Sequence, residues 1–547
     1  MLVLQRCLRG MLSLLFATAI VTVLIGWLEN TEFHTNFVLK VIELCGLVLA
    51  ATLTFIPMNK LIRPHWTGTF AYVLGLVVFI PFSFMFSVFG TYDFGSLVTV
   101  IRDNPPGAML WVGIGTLLGP IIKFSSMFIL LLFGGIYFAR RVPHFSKIVL
   151  MVGVVLIAVS PFTKFMYRMV VPDPSHAFIS IPGDFQEPII TGRPKIKKNI
   201  VFIYLESLER TYLSVPELAD ALAPISQLED EGLSFDNVVQ IYGTEFTVAG
   251  MVATQCGVPL VQNGIINLHK KRDKRANDPL IDPVGFMDHI HCLGDILAAE
   301  GYIGSYINGS DLAIFNKGRF FQAHGHERVF GVNSLSGSRA NVYENSWGLS
   351  DASVFEYAHD ELEYLVGLGN PFTMSILTLA THGPDAELDK DCDYPIFHES
   401  QIPAAIQCTG DHVQRMVDKI ADLGIANDTI VVILSDHLAM RNSVSDMLEL
   451  HGENRRNLVT IIDIGRQGVF SKKGSMLDVY PTILEVMGYQ IADGQANLGI
   501  SLLSDTKTLV ETIGSKTLSS AFKQNQPLQQ FLWDYDYFTS ATSNITH

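Results

Sequence analysis

Three apolar runs in this chain each end in residues that can bind a cation. Asn199-Ile-Val-Phe-Ile-Tyr-Leu205 runs into Glu206, Thr373–Leu379 is followed by Ala380-Thr-His-Gly-Pro384, and Thr429–Leu434 is followed by Ser435-Asp-His437. Strands of a parallel sheet are buried on both faces and read as unbroken apolar runs. In open α/β sheets, ligands bind just beyond the carboxyl ends of such strands. Taken singly, Glu206 reads as a loop acid or a helix N-terminal charge, and Asp436-His437 as a turn or cap. Taken together, the Glu206 carboxylate, the Asp436-His437 pair and the His382 imidazole are the donor types for a divalent ion of borderline hardness such as Mn²⁺ or Zn²⁺. A nucleophile is the missing part. Gly243-Thr-Glu-Phe-Thr-Val-Ala-Gly250 leads into a helix-compatible run closed by Cys256-Gly257. A hydroxyl at a helix N-terminus faces free N–H groups and the positive dipole end, which suit a phosphate, and metal coordination would activate it. Thr244 and Thr247 both qualify, and both also read as ordinary N-caps.

These residues need a sheet to gather them. The periodicity predicts strands at Asn199–Leu205, Ile303–Ile307, Thr373–Leu379, Thr429–Leu434 and Leu458–Ile464. Helices are predicted at Pro216–Gly232, His289–Glu300, Asp351–Leu365, Gly410–Gly424 and Met476–Met487. Strands alternating with helices imply an α/β domain with a mostly parallel sheet, placed at 199–504. Residues 169–198 read as a linker, and 505–547 as a polar, aromatic-dotted C-terminal tail. There is no internal repeat.

The chain before the linker is of another kind. Of 547 residues 49% are hydrophobic, and the apolarity is concentrated at the front. Residues 1–171 hold 12 basic and 5 acidic side chains; the remainder holds 26 basic and 48 acidic. Acidity of that size argues against a nucleic-acid partner. Segments Met11–Leu28, Phe37–Pro57, Thr69–Val88, about Ser126–Phe138 and Ile148–Phe165 approach the roughly 20 residues that a bilayer core requires. An α-helical membrane domain of about five spans at 1–168 is therefore expected. Arg6 and Arg9, Lys60 and Arg63, and Arg140, Arg141 and Lys147 then fall on one side, which puts the N-terminus inside and the 199–504 domain outside. Cys256, Cys292, Cys392 and Cys408 all lie in that outer part. In an oxidising compartment an even number suggests disulfides. Four cysteines allow three connectivities; the local one, Cys256–Cys292 with Cys392–Cys408, is expected, four buried thiols being the alternative. The run His269–Arg275 is basic in an acidic domain and reads as a solvated loop or a lipid-facing patch.

The set "NIVFIYLESLERTY", "GTEFTVAGMVATQCGVPL", "THGP", "SDHLAM" and "MLDVYPTILEVMG" resembles the alkaline-phosphatase/sulfatase superfamily. Within it, the set is most similar to the membrane-bound phosphoglycerol transferases of osmoregulated periplasmic glucan synthesis. The resemblance covers about Asn199–Gly488, and the architecture is similar to that of lipoteichoic acid synthase and the lipid A phosphoethanolamine transferases. It implies Glu206, Asp436 and His437, with the nucleophile Thr247, as metal ligands, Mn²⁺ favoured over Zn²⁺ or Mg²⁺. Superfamily spacing to Cys256-Gly257 implies Thr247 as nucleophile, whereas gapless alignment to lipoteichoic acid synthase implies Thr244. His382 matches a histidine that contacts the phosphoryl group. Asn308, Asp311, Phe315 and Lys317 occupy the region that grips the glycerophosphate head group. No Cys-x-Pro-x-Arg motif of formylglycine sulfatases is present. The implied function is transfer of phosphoglycerol from phosphatidylglycerol to a periplasmic glucan, a membrane-derived oligosaccharide, through a covalent phospho-threonine. The implied location is the bacterial inner membrane, multi-pass, with the catalytic domain in the periplasm. Phosphoethanolamine transfer to lipid A, a membrane-anchored metal-dependent phosphodiesterase and a catalytically inactive binding module are the alternatives.

Overall fold

The computed structural model describes parts of 70–80, 124–133 and 145–163, and residues 184–533 apart from 262–285, 337–342, 346, 384, 464 and 525. The first two expected spans and the basic run 269–275 lie outside the described residues; the other three spans are described only in part. The described residues fall into two compact units, one before and one after about 172. In the first, a helix runs over Phe145–Val159, and Tyr72, Leu76, Phe79, Ile80, Phe124 and Leu156 form a small apolar cluster. A Cβ on Gly153 would lie 2.5 Å from backbone of Ala71 and Tyr72, so only a residue without a side chain permits that helix contact. Among the described residues, no helix is long and apolar enough to cross a membrane.

The second unit is built on an eight-stranded sheet. Its strands are β1 (Asn199–Leu205), β2 (Leu233–Phe235), β3 (Ile303–Asn308), β4 (Arg328–Phe330), β5 (Phe372–Leu377), β6 (Thr429–Ser435), β7 (Val459–Ile462) and β8 (Gly468–Phe470), in the order β8-β2-β7-β6-β1-β5-β3-β4. Strands β6, β1, β5, β3 and β4 pair in parallel, and β7 runs antiparallel to both its neighbours. The central strand β1 is apolar throughout because it is covered twice. Ile200, Phe202 and Tyr204 enter one core and Val201, Ile203 and Leu205 the other. Full burial of such a side chain contributes roughly 1.5–3 kcal/mol.

Helices α2 (Thr247–Cys256), α3 (Leu293–Ala299) and α7 (Val479–Val486) cover the first face. Helices α1 (Ala223–Glu231), α5 (Asp351–Leu368) and α6 (Ile402–Asp422) cover the second. A short helix α4 (Lys317–Ala323) follows β3. The predicted strands sit within two residues of the observed ones, and β2, β4 and β8, of three residues each, are additional. Helix α6 starts at Ile402 rather than Gly410, with Pro403 in its first turn, where a missing N–H costs nothing. The expected helix from Pro216 is a 3₁₀ turn at Ala219–Leu222 followed by α1.

Both flanks of the domain extend further than its sequence boundaries. Within the linker, Phe185 is buried and Ile190–Gly192 pairs with Gln490–Ile491. In the supposed tail, helices at Ser515–Gln524 and Gln526–Trp533 bury Leu518, Phe522, Leu528, Phe531 and Leu532 in the same core. Both disulfides, Cys256–Cys292 and Cys392–Cys408, are present.

The Cys256–Cys292 bond closes a separation of 36 residues, for which loop-closure entropy gives about 3–4 kcal/mol. The Cys256→Ala/Cys292→Ala chain should therefore lose about that much unfolding free energy in urea titration, and α2, whose last residue is Cys256, should be the first helix to lose amide-exchange protection. An unchanged midpoint would show that packing alone holds α2.

Candidate active site

Strand register brings the first two acidic residues together. Leu205 pairs with Ser435 across β1 and β6, so Glu206 and Asp436 are the next residues on parallel neighbours. Both continue the even-numbered face that α2 covers, after Tyr204 and Leu434. A Cβ on Gly250 of α2 would lie 1.7 Å from the Asp436 carbonyl oxygen. The helix therefore rests directly on the strand end, and its first residue, Thr247, reaches the carboxylates.

Glu206, Asp436 and His437 are completely or almost completely buried, and one donor atom from each lies within 4.8 Å of the others. His437 Nε2 is 3.5 Å from Glu206 Oε1 and 3.3 Å from Asp436 Oδ2. Its Nδ1 is 2.7 Å from the Leu438 carbonyl. A carbonyl only accepts, so in the neutral ring the proton sits on Nδ1 and the Nε2 lone pair faces two carboxylate oxygens. Asp436 Oδ2 and His437 Nε2 have no hydrogen-bond partner. Three acceptors converging in a buried place call for a cation, and two carboxylates with one imidazole suit a divalent ion. The protons respond to the same field. Burial and the Glu206 charge push Asp436 up to about 8. Burial would lower His437, but Asp436 and Glu206 outweigh it and push it up to about 9. Burial opposes ionisation of Glu206, yet His382 and His437 hold it below the usual carboxylate range.

Around this centre the two threonines part company. Thr247 Oγ1 donates to Glu206 Oε2 at 3.3 Å. Thr244 Oγ1 is engaged with its own turn, donating to Ile241 O at 2.8 Å and accepting from Ile241 N at 3.2 Å. His382 Nε2 lies 4.0 Å from Glu206 Oε1. Its Nδ1 is 2.8 Å from Gly383 O, which leaves Nε2 unprotonated in the neutral ring, and burial lowers its pKa.

The head-group candidates divide likewise. Asn308 Oδ1 accepts from Ser310 N and Oγ, and Asp311 Oδ1 accepts from Ala313 N; both side chains shape the loop. Lys317 is buried and donates from Nζ to Ser310 Oγ at 2.7 Å. Burial pushes its pKa down to about 8 against the pull of Glu206, Asp436 and Asp311. Phe315, in the left-handed region at φ 55, sets its ring 5.5 Å from that of Phe246, which precedes Thr247.

Several participants carry no sequence signal. Ser207, at φ 50, donates from N to Asp436 Oδ1 at 2.9 Å and from Oγ to Glu206 Oε1 at 2.8 Å. Its backbone is strained, and that strain serves to orient both carboxylates. Thr378 Oγ1 accepts from Glu206 N, and Gln240 Oε1 accepts from Leu438 N. Trp347 lies against His382 with centroids 3.7 Å apart and the ring planes tilted by 34°. A tryptophan in an irregular loop gives no indication of the ring it will cover.

Gly250→Ala should lower the melting temperature by an amount corresponding to about 1–3 kcal/mol of overpacking, and it should weaken Mn²⁺ binding in calorimetry because α2 must retreat from β6. Retention of both would show that the helix can shift without disturbing the centre.

The domain matches a family model described as Sulfatase over residues 198–489. Phosphoglycerol transferase I of Escherichia coli (strain SMS-3-5 / SECEC) is 30% identical over 456 residues, which cover 80% of this chain and 57% of that protein. The chain thus spans little more than half the length of the curated relatives it matches. A protein of the alkaline phosphatase superfamily from Vibrio parahaemolyticus is 20% identical, with a TM-score of 0.47 over 62% of this chain and 78% of that one. The lipoteichoic acid synthase LtaP from Listeria monocytogenes is 14% identical, with a TM-score of 0.47 over 65% and 97%. With the family model spanning more than half of its length, the chain belongs to the sulfatase family.

Proposed function

We propose that this protein transfers the phosphoglycerol head group of phosphatidylglycerol to a hydroxyl of a periplasmic glucan, working at the inner membrane with the α/β domain outside. The observation that carries the reading is the Thr247 hydroxyl held against Glu206 Oε2, at the N-terminus of a helix and beside three converging acceptors. The similarity to phosphoglycerol transferase I and the absence of the Cys-x-Pro-x-Arg motif support transfer of a phosphodiester rather than sulfate-ester hydrolysis.

Thr247 Oγ1 attacks the phosphorus, the bond from phosphorus to the diacylglycerol oxygen breaks, and diacylglycerol departs carrying a proton. Phosphoglycerol remains as a diester on Thr247. An acceptor hydroxyl then attacks the same phosphorus and Thr247 Oγ1 leaves and is reprotonated. Glu206, Asp436 and His437 would hold a divalent ion, Mn²⁺ by preference, which when bound supplies Lewis-acid polarisation of the phosphoryl group and acidifies the hydroxyl. Glu206 Oε2 orients the Thr247 hydroxyl. The open Nε2 of His382 accepts the proton of an incoming hydroxyl and returns it to the leaving oxygen. Lys317, whose pKa burial pushes down to about 8, offers its ammonium to the phosphate anion.

Two experiments test the reading. Asp436→Asn should bind Mn²⁺ at least ~10–100-fold more weakly and lose turnover of labelled phosphatidylglycerol in vesicles; full activity in that variant would remove the metal centre from the mechanism. In intact-mass analysis with phosphatidylglycerol, Thr247→Ala should show no phosphoglycerol adduct, whereas Thr244→Ala should keep the adduct and lose about 1 kcal/mol of stability with its two turn hydrogen bonds. The reverse pattern would move the nucleophile to Thr244. A phosphoethanolamine adduct formed in preference to phosphoglycerol would change the donor.

A further inference from the structure

The His382 imidazole is hydrogen-bonded within its own loop, Nδ1 lying 2.8 Å from Gly383 O. It projects from the loop after β5, and one buried carboxylate accepts two successive amides of that loop. Asp351, the first residue of α5 and wholly inaccessible, accepts from Leu379 N at 2.6 Å and Ala380 N at 3.2 Å through Oδ1. Its Oδ2 accepts from Thr409 Oγ1 of α6 at 2.9 Å. These two amides immediately precede Thr381, whose hydroxyl donates to the backbone oxygen of Glu206, and His382, whose N donates back to Leu379 O at 3.1 Å.

The same short segment touches His382 from its other side. Trp347, four residues before Asp351, packs its ring against the imidazole at a tilt of 34°. Between them, Leu349 N donates to Gly309 O at 2.9 Å, next to Ser310, the residue that receives Lys317 Nζ. Residues 347–351 thus contact both walls of the candidate site while contributing no group to its centre.

Asp351 is itself backed by fixed partners. Asp389 Oδ2 accepts from Ala352 N and from His412 Nε2, each at 2.9 Å. Arg415 donates to His412 Nδ1 at 2.6 Å, so Nε2 is the ring atom that donates to Asp389. Burying a second carboxylate so close to the first is costly unless its hydrogen bonds do work elsewhere. Here they fix the N-terminus of α5, where Asp351 stands.

We propose that Asp351 is the positioning residue of His382: its carboxylate sets the Leu379–His382 loop, against which Trp347 holds the imidazole plane, so that Nε2 faces the reacting phosphoryl group. The proposal rests on the phosphodiester reading given above for His382. Without the carboxylate the two amides lose their acceptor, the loop relaxes, and the imidazole drifts from its place while the ligand set at the ends of β1 and β6 stays intact.

The test uses the full-length chain in Mn²⁺ with Asp351→Ala, Asp351→Asn, His382→Ala and the Asp351→Ala/His382→Ala double variant. Amide exchange is measured over 379–382, and turnover is followed on phosphatidylglycerol vesicles and on bis(p-nitrophenyl) phosphate. A displacement of about 1 Å at a reacting group costs on the order of 10²-fold. Asp351→Ala should therefore slow turnover by about that factor per folded, Mn²⁺-loaded molecule and speed exchange at Leu379 and Ala380. Asp351→Asn, whose Oδ1 can still accept both amides and whose Nδ2 can donate to Thr409, should stay within a few-fold of wild type in both. The double variant should be no slower than His382→Ala, the signature of residues acting as one. Losses that multiply, unchanged exchange in Asp351→Ala, or an Asp351→Asn chain as slow as Asp351→Ala with its loop still protected would each overturn the proposal. A wild-type chain that cleaves the p-nitrophenyl diester but takes nothing from phosphatidylglycerol would refute the donor assignment alone, since the same cycle still judges Asp351. With neither substrate turned over, the exchange comparison decides it.

Discussion

The Asp436 carbonyl and the α-carbon of Gly250 are in contact that tolerates no methyl group, and the site depends on that contact. It seats the N-terminal half of α2 on the carboxyl end of β6, which is what allows a hydroxyl on the helix and carboxylates on the sheet to meet. The other end of α2 is fixed as firmly. Gly257 turns into the left-handed region at φ 63, and a side chain there would meet Ala496 O. Asn497 Nδ2 donates to both Cys256 O and His291 O, and the disulfide ties Cys256 to the N-cap of α3. A ten-residue helix held at both ends cannot rock, and the placement of Thr247 inherits that rigidity.

The loops that carry the candidate ligands are cross-linked to one another. Arg455 donates from Nε and Nη2 to the carboxylate of the fully buried Glu209, three residues beyond Glu206, and from Nη2 to Ala439 O, two residues beyond His437. Buried ion pairs of this kind are weak evidence for stability, because desolvation offsets most of the attraction. Their geometric effect is clearer: the segment after β1 and the segment after β6 share one guanidinium, so Glu206 and Asp436 keep their relative register beyond the point where strand pairing stops. Ser207 adds a strained backbone whose amide and hydroxyl serve one carboxylate each.

What could be read from the sequence follows from this division between sheet and loops. Strands buried on both faces leave an apolar signature and a polar residue where they end, so Glu206, Asp436 and His437 were legible as a group, as were the five strands in and around the centre of the sheet. The edge and short strands were not, because three residues such as Leu233–Phe235 have no periodicity to show. The sequence leaves Thr244 and Thr247 both open as nucleophile, because the bonds of Thr244 to Ile241 across the turn at Gly243 are not encoded in spacing. Asn308 and Asp311 have the right chemistry for a polar head group, and the Oδ1 atom of each also accepts from a backbone amide two residues on. The segment after 504 reads as a polar tail, although Leu518 and Phe522, and Leu528 with Phe531 and Leu532, repeat at helical spacing and are buried. Their signal was diluted by the polar residues that face outward.

Asp351 illustrates why the remainder escaped. A lone aspartate after Trp-Gly-Leu-Ser reads as the start of a helix, and it is one. Its second role arises only because β5 ends beside the N-terminus of α5, so that one carboxylate meets the free amides of a loop from a different part of the chain. Strand ends deliver ligands with the precision of the sheet, whereas groups on loops need a separate anchor, and an anchor buried behind the site has no reason to lie near it in sequence. The hydrogen bonds of Leu379 and Ala380 to Asp351, and those of Ser207 to the two carboxylates, are of this type. In both cases backbone amides are among the donors, and an amide that every residue but proline carries leaves no mark of its partner in the sequence.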